Sequence, residues 1–284
     1  MLGDKQVQST EGGSAAIQAG RDINIQGLSF SEVQELCLML LRDNFPKLKE
    51  EARRTAEEHV RLFANGLEQR LANDAASIAL EKFKDPDVQA AINDAVLASA
   101  RKGAAANPNI LATLISERVA PISSDFKDIV LSEAVQVVPK LTAQQIALLS
   151  FVHAVRSIVC QGLTSAAGLE PFGQIALVFC TPAFGISESQ KQHLQYSGTA
   201  SVNNLLGGDI FAQQSEEYKY LGLEEGSAAF QAELKNTAPT YFNLLEQFNK
   251  DRLHAINLTS VGQAIAIANI SNFIGKLDYG IWLK

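Results

Sequence analysis

Four histidines are the residues of this sequence whose type could bind a metal ion. His59, His153, His193 and His254 lie far apart. None of them has a second histidine, a cysteine or a paired carboxylate at the spacing of a metal motif such as HExxH or CxxC. His153 falls in an apolar helical pattern, where a core histidine with satisfied hydrogen bonds is expected. The sequence therefore predicts no metal site and no cofactor.

Three cysteines, Cys37, Cys160 and Cys180, could act as nucleophiles, but each lies among apolar neighbours. Their odd number, wide separation and apolar surroundings are typical of reduced, buried thiols in a cytoplasmic protein. No GxSxG elbow occurs in the chain, and no cysteine stands in a recognisable nucleophile context. We therefore predict no catalytic residue from motifs, although a site assembled from distant residues stays open.

Glycines and carboxylates in the second half give no phosphate or metal motif either. Gly207-Gly208-Asp209 lacks the Lys-Ser/Thr of a phosphate-binding loop and predicts a turn, and the glutamate pairs at 216–217 and 224–225 predict a solvated acidic surface. The chain has a net charge of −7. Residues 164–250 contain nine acidic and four basic residues. This charge argues against binding to nucleic acid or to an anionic membrane.

Residues 14–28, SAAIQAGRDINIQGL, combine features that a generic leader lacks. Ile23 and Ile25 alternate with polar residues as in a strand, and Gly20 allows a sharp corner. The pattern predicts a strand–turn–strand unit that needs other strands to pair with. Three interpretations are open. Copies could self-associate by stacking, with isoleucine rows beside Asn and Gln ladders; the hairpin could pack on its own helices; or the segment could be an unstructured tail.

This segment resembles bacterial amyloid-signalling motifs related to the RIP-homotypic-interaction motif. Ile17-Gln18-Ala19-Gly20 matches their core, and Asp22-Ile23-Asn24-Ile25 matches the usual sequel. The resemblance covers about 15 of 284 residues and is shared by filamentous-haemagglutinin-like solenoid rungs. It implies a homo-oligomer or a protein partner with a similar segment. The residues implied in self-association are Ile17, Gln18, Gly20, Asp22, Ile23, Asn24 and Ile25.

Two positions depart from that motif. Ala19 and Arg21 replace a bulkier apolar residue and a second glycine, so a finite oligomer is open as well as a fibril. The helix start GLSFSEVQEL and the C-terminal stretch LTSVGQAIAIANI…IWL also resemble an uncharacterised family of bacterial proteins. That resemblance implies a cytoplasmic protein in conflict or antiphage signalling and supplies no catalytic residue.

Helical periodicity begins at Ser29, where Ser29 and Glu32 fit a capping box. A long amphipathic helix follows through Leu71, and the dipeptides Asp85-Pro86 and Asn107-Pro108 predict two further helix starts. Later helices are predicted at 125–138, 142–159, 239–252 and 260–272, and Thr142 with Gln145 repeats the capping-box pattern at the second of these. Residues 175–180 fit a buried strand or a helix, and residues 196–227 predict loops with short helices.

The predicted fold is mainly α. Residues 1–28 form the β-forming self-association segment, 29–120 a helical bundle, and 121–284 a second mainly helical region, with Trp282 buried. No apolar run reaches the roughly 18 residues that span a bilayer, so no stable membrane insertion is expected.

Three functions are open. The favoured one is a non-enzymatic assembly or signalling protein. The second is an enzyme or small-ligand-binding effector with its site at 160–227. The third is a helical effector that perturbs membranes.

Because no ligand-spaced residues are found, we expect metal chelation to leave the melting temperature within a few degrees of its untreated value. Structural metals contribute folding free energy directly, so removing one lowers thermal stability. Differential scanning calorimetry with and without chelator measures this. A larger drop in melting temperature would contradict the prediction.

Overall fold

The computed structural model describes residues 30–44, 50–73, 78–121, 123–205, 207–221 and 227–283. Within these ranges the chain is mostly helical, as predicted. The helices are α1 (Phe30–Asn44), α2 (Glu50–Asn73), α3 (Pro86–Lys102), α4 (Pro108–Arg118), α5 (Asp125–Val137), α6 (Ala143–Ser157), α7 (Glu170–Cys180), α8 (Glu188–Tyr196), α9 (Ile210–Glu217), α10 (Ser227–Thr237), α11 (Pro239–Lys250) and α12 (Ser260–Ile274). The predicted strand–turn–strand unit at 1–28 lies outside the described residues.

Three helices form the centre of the fold because their residues are apolar on nearly every side. α4 is buried at every position from Ile110 to Arg118, and α6 at every position from Gln145 to Val155. α12 packs against both of them. A helix without a polar face is stable in water only when other elements surround it.

Amphipathic helices cover this centre. On one side α2 packs against α1, α3 and α4; on the other, α7 lies between α6 and α11, and α9, α10 and α11 pack on one another. α2 buries one stripe of residues at steps of three and four and leaves its charged face to solvent. That stripe consists of Ala56, Val60, Phe63, Ala64, Leu67 and Leu71. The buried apolar residues of both predicted regions, from Val33 to Leu283, form one cluster.

Several helix ends follow the predicted capping chemistry. The carboxylate of Asp85 caps α3 by accepting a hydrogen bond from the backbone N of Asp87 at 2.9 Å. The same helix stops at Gly103, whose φ of 54° lies in the left-handed region. Thr142 and Gln145 form the predicted capping box of α6. α1 begins at Phe30, directly after Ser29, which lies outside the described residues.

Other elements escape prediction from the pattern. Residues 175–180, which fit a strand or a helix, lie in α7. α8 and α10 are polar helices with weak periodicity. The two strands, β1 (Ala200–Val202) and β2 (Ile256–Leu258), have three residues each and pair antiparallel with Ala200 opposite Leu258. Strands this short carry too little alternation to be recognised, and their partners are distant in sequence.

The start of α12 docks directly onto the residue before β1. The carbonyl oxygen of Thr199 accepts a hydrogen bond from the backbone N of Thr259 at 3.0 Å. A Cβ atom at Gly262 would lie 1.9 Å from that same oxygen. Glycine is therefore needed here for close approach of two backbone segments.

The C-terminal tail folds back onto the centre. Tyr279 and Leu283 are buried, whereas Trp282, predicted to be largely buried, is only partly so. The indole Nε1 of Trp282 donates a hydrogen bond to the carbonyl oxygen of Ser157 at 3.2 Å. Its ring also lies edge-on to His153, with centroids 4.9 Å apart.

Within the described ranges, no single helix is both long and apolar enough to cross a bilayer. One pair of consecutive segments, Ala166–Ala183 and Glu188–Tyr196, reaches the length and apolar composition of a membrane span when taken together. The two segments are bent by 93° relative to each other, and length and composition are the only features that fit a span.

We expect Gly262→Ala to lower the free energy of unfolding by about 3 kcal/mol, because the added methyl group meets a backbone oxygen that cannot move aside. Helix propensity alone predicts the opposite sign, a gain of up to about 1 kcal/mol for alanine over glycine. The control is Gly207→Ala, since a Cβ atom at Gly207 meets nothing within 4 Å. Urea unfolding followed by circular dichroism measures both variants, and equal stability of the two would contradict the close approach.

Candidate functional site

A cleft of about 760 Å³ opens between α2, the N-terminus of α4 and the C-terminal end of α12. We call it the α2–α4–α12 cleft. Its volume lies within the range of about 300–1,000 Å³ that is typical of small-ligand sites. The lining residues are Gly66, Gln69, Arg70, Asn73, Ala104, Asn107, Pro108, Asn109, Ile110, Ala112, Asn269, Ser271, Asn272, Phe273, Gly275 and Lys276.

Helical spacing places the polar lining side chains of α2 on one face. Gly66, Gln69, Arg70 and Asn73 stand at i, i+3, i+4 and i+7, which is the spacing of residues that share a side of a helix. The buried apolar stripe of α2 lies on a neighbouring face of the helix. The cleft wall is therefore the part of this helix that the core does not use.

α12 supplies the second wall in the same way. Asn269, Asn272 and Phe273 lie at i, i+3 and i+4 of its last turns. The helix ends before Gly275, whose φ of 90° turns the chain so that Lys276 also lines the cleft.

α4 begins at the third wall. Asn107 adopts left-handed backbone angles (φ 57°, ψ 57°), and Pro108 follows as the first helical residue. The positive end of the α4 dipole therefore faces the region of the cleft.

Asparagine is the dominant lining residue. The five are Asn73, Asn107, Asn109, Asn269 and Asn272. Some of their amides are held by neighbours: Asn272 Oδ1 accepts a hydrogen bond from Arg70 Nη2, and Asn269 Nδ2 donates to Ser150 Oγ at 2.8 Å. Asparagine side chains offer both donors and acceptors, so this wall can hydrogen-bond to groups of either kind.

The charges at the cleft are positive. Arg70 and Lys276 are the charged residues among its described lining, which contains no aspartate or glutamate. Lys276 Nζ lies 4.0 Å from Glu117 Oε2, but Glu117 Oε1 is closer to Lys127 Nζ, at 2.5 Å. One carboxylate is thus shared by two lysines.

One lining group is buried without a partner. Ser271 is only 8% exposed, and its Oγ atom has no hydrogen-bond partner within the described part of the chain. Leaving a buried hydroxyl unpaired costs roughly 1–3 kcal/mol.

The described lining of the cleft offers amide and cationic hydrogen-bond donors. Its described lining includes no histidine, cysteine or carboxylate, and these are the usual general bases and nucleophiles. No group of three or more histidine, cysteine, aspartate or glutamate residues in the described ranges lies close enough together to hold a metal ion.

The region 160–227, named above as a possible effector site, contains a buried hydrogen-bond network. The backbone N of Cys160 donates to Tyr218 Oη at 3.1 Å, and Tyr241 Oη donates to Gln214 Oε1 at 2.5 Å. Gln214 Nε2 donates onward to the carbonyl oxygen of Val155 at 2.8 Å. Burial raises the pKa of Cys160 and that of Tyr218. Both therefore stay protonated at neutral pH, so neither is a ready nucleophile.

The cysteines otherwise match their prediction in part. All three are unpaired; Cys37 and Cys180 are buried, whereas Cys160 is half-buried. Burial raises the pKa of the Cys37 thiol to about 12. Burial also raises the pKa of the Cys180 thiol. Thiols that are protonated and enclosed in this way are inert.

The solvated surface predicted at Glu216 and Glu217 is confirmed, whereas residues 207–209, predicted to be a turn, have no assigned turn. Glu216 and Glu217 are exposed, and Glu216 pairs with Lys219 at 2.5 Å. Residues 224–225 lie outside the described residues. The segment at 207–209 leads into α9, where Asp209 Oδ1 accepts a hydrogen bond from the backbone N of Phe211 at 3.0 Å.

The histidines have separate structural surroundings. His59 Nδ1 lies 3.3 Å from the carbonyl oxygen of Ala100, and His254 Nε2 lies 2.8 Å from Asn249 Oδ1. His193 Nδ1 lies 3.0 Å from Gln145 Nε2. His153 corrects the expectation of a satisfied core histidine: it is fully buried, and neither ring nitrogen has a hydrogen-bond partner among the described residues.

Ile17, Gln18, Gly20, Asp22, Ile23, Asn24 and Ile25 lie outside the described residues. The α2–α4–α12 cleft, in turn, was not among the sites predicted from the sequence. The signal that points to it is the recurrence of asparagine at helical spacing in α12 and beside Arg70 in α2, where asparagine has low helix propensity.

A protein-family model matches residues 27–229 and 223–283 of the chain. These matches cover more than half of the sequence, so the chain belongs to this family. The description of the family names no activity, ligand or partner. No curated protein and no solved structure matches. Both matched ranges begin after Gln26, so the seven predicted self-association residues precede them.

Burial lowers the pKa of His153 to about 4, below the ordinary value of 6.5. The unfolded chain therefore binds a proton at this side chain between pH 6.5 and pH 4, while the folded chain does not. Stability is fully present above pH 6.5 and falls as the pH drops to about 4, by about 3 kcal/mol in total. We expect His153→Phe to remove this part of the pH dependence.

Urea unfolding at pH 7 and pH 4.5 measures the effect as a difference between parent and variant, since carboxylates contribute to both. The control is Phe151→Leu, which changes a buried side chain of the same helix without removing a titratable group and should keep the parental pH dependence. The same loss of stability on acidification in His153→Phe and in the parent would contradict the assignment.

Proposed function

We propose that this chain is a non-enzymatic assembly or signalling protein that multimerises, or recruits a partner with a similar segment, through residues 14–28. The observation that carries the proposal is the sequence of that segment. Ile23 and Ile25 stand at period two on one face, and Ile17-Gln18-Ala19-Gly20 adds a second β-forming stretch before the corner. Stacked copies would bury both isoleucines, each contributing about 1.5–3 kcal/mol.

The packing of the helical part of the chain supports a separate role for residues 14–28. Its first helix begins at Phe30, and the apolar residues Val33, Cys37 and Leu41 of that helix are buried against other helices. α1 therefore has its core contacts within the described body. The family match also begins only at residue 27. Both facts favour a separate adhesive segment attached to a self-contained body.

The resemblance to amyloid-signalling motifs extends the proposal to bacterial conflict or antiphage signalling. In that setting the segment would template the stacking of a partner carrying a similar Ile-Gln-x-Gly stretch. A cytoplasmic location belongs to the same proposal, and three unpaired cysteines support it. Arg21 in place of glycine favours a finite oligomer over a long fibril, since stacked arginines repel one another.

We expect the double substitution Ile23→Arg/Ile25→Arg to reduce the solution mass toward that of one 30.7 kDa chain. The arginines place like charges in the apolar row, while the helical body keeps its own core. The matched control is Gln6→Arg/Gln8→Arg, which adds the same charge at the same spacing outside residues 14–28 and should keep the parental mass. Light scattering measures mass, and circular dichroism measures helix content.

The outcomes separate the three interpretations of the segment. A parental mass of one chain at all concentrations, or an unchanged oligomeric mass in the double variant, would refute self-association. Loss of helix signal in the double variant would show instead that the segment packs on its own helices.

A further inference from the structure

We infer that a groove between α3 and α5, here called the α3–α5 groove, docks an acidic amphipathic helix of a partner protein. The groove has a volume of about 520 Å³. One face of α3 forms its first wall, and the C-terminal end of α5 with the turn at Val138–Lys140 forms the second. The lining does not include residues 14–28, so this inference and the assembly proposed above can fail separately.

Helical spacing determines the shape of the groove. Its α3 residues stand at i, i+3, i+4 and i+7, so they share one side of that helix. These residues are Asp94, Leu97, Ala98 and Arg101. The facing wall consists of Val135, Gln136, Pro139 and Lys140. A channel between two packed helices is a shape into which an amphipathic helix can lay its apolar side.

The floor of the groove is apolar. Val135 is fully buried, and Leu97, Ala98 and Pro139 are half-buried. Ala98 packs against the hydrophobic core, whereas its neighbour Leu97 is not among the partly buried side chains that do so in the described part of the chain. An apolar side chain of a partner that covers Leu97 would remove this surface from water, which favours docking.

The rim of the groove is cationic. Arg101, Lys102 and Lys140 are exposed, and the described lining contains one acid, Asp94. Lys102 Nζ donates a hydrogen bond to the carbonyl oxygen of Pro139, a neutral group that leaves the charge of the lysine uncompensated. Arg101 and Lys140 form no ion pair with any residue that the structure describes. The charge of the rim is thus opposite in sign to the net charge of −7 of the whole chain.

This combination favours an acidic protein segment over other anions. A nucleic acid would be repelled by the acidic remainder of the protein, and it offers no aliphatic side chain for the floor. An amphipathic helix meets both requirements, because its apolar side chains cover Leu97 and Ala98 while its carboxylates lie over Arg101 and Lys140. Asp94 lies two turns before Arg101 on the same face, so the acids of the partner belong at the Arg101 end of the groove.

The test is fluorescence anisotropy with the full chain and a labelled amphipathic helical peptide of leucine, alanine and glutamate. Two matched peptides carry glutamine in place of glutamate or serine in place of leucine, and a labelled single-stranded oligonucleotide is the other anion. The glutamate peptide should bind saturably. Each matched peptide should bind at least about tenfold more weakly, because one loses the charge-assisted contacts and the other loses the apolar ones. No saturable binding of the glutamate peptide, equal binding of either matched peptide, or tighter binding of the oligonucleotide would overturn the proposal.

Charge reversal on the protein locates the binding. Arg101→Glu/Lys140→Glu should weaken binding of the glutamate peptide by about tenfold to a hundredfold and should strengthen binding of a peptide with lysine in place of glutamate. The matched control is Arg54→Glu/Arg61→Glu, which makes the same charge change at two exposed arginines of α2 outside the lining. It should leave both affinities unchanged. Equal weakening by the two double variants would show nonspecific attraction to the protein and overturn the proposal.

Two single substitutions test the floor and the rim separately. Leu97→Ala should weaken binding of the glutamate peptide by about tenfold, because less apolar surface is covered. Lys140→Gln removes one exposed charge and tests the rim even where the double variant fails to fold. Circular dichroism verifies that both variants keep the parental helix content. An unchanged affinity in Leu97→Ala or in Lys140→Gln would overturn docking in this groove.

Discussion

Helix α12 is apolar along most of its length, and much of the fold is arranged to enclose it. Nine of its fifteen residues are buried, with Ile265 and Ile267 completely so. α4, α5, α6 and α7 all pack against it. Its N-terminus is fixed by the contact of Gly262 with Thr199, and its C-terminal end forms a wall of the α2–α4–α12 cleft. One helix thus links the core, the small sheet and the candidate ligand site.

Charge placement on α4 completes this arrangement. Arg118 is buried, yet its guanidinium Nη2 donates to Asp87 Oδ2 at 2.9 Å, and Nη1 lies 3.0 Å from Asp128 Oδ2 without hydrogen-bond alignment. A hydrogen bond from Ser132, together with Arg118, lowers the pKa of Asp87. These contacts tie α4 to α3 and α5. Removing one partner of such a pair leaves an uncompensated charge and destabilises strongly, even where the intact pair adds little net stability.

Local signals in the sequence were enough for most helices but not for contacts between distant segments. Some helix ends depend only on contacts within one turn, so they can be predicted from the sequence. Examples are the ends marked by Asp85 and Pro86, by Gly103, and by the capping box at Thr142. The strands could not be predicted from the sequence, because Ala200 pairs with Leu258 only after the intervening helices fold. The cleft was missed for the same reason: Arg70 and Asn272 are neighbours in space but about two hundred residues apart. Likewise, nothing local shows that His153 lacks a hydrogen-bond partner.

The position of α12 in the chain has a consequence for biosynthesis. The ribosome makes α4, α5, α6 and α7 well before the helix they enclose, so their inward apolar faces have no partner during that interval. Contacts between segments so far apart in sequence also close slowly. Until α12 emerges, the nascent chain exposes apolar surface. During this period the chain depends most on chaperones and is most prone to aggregation.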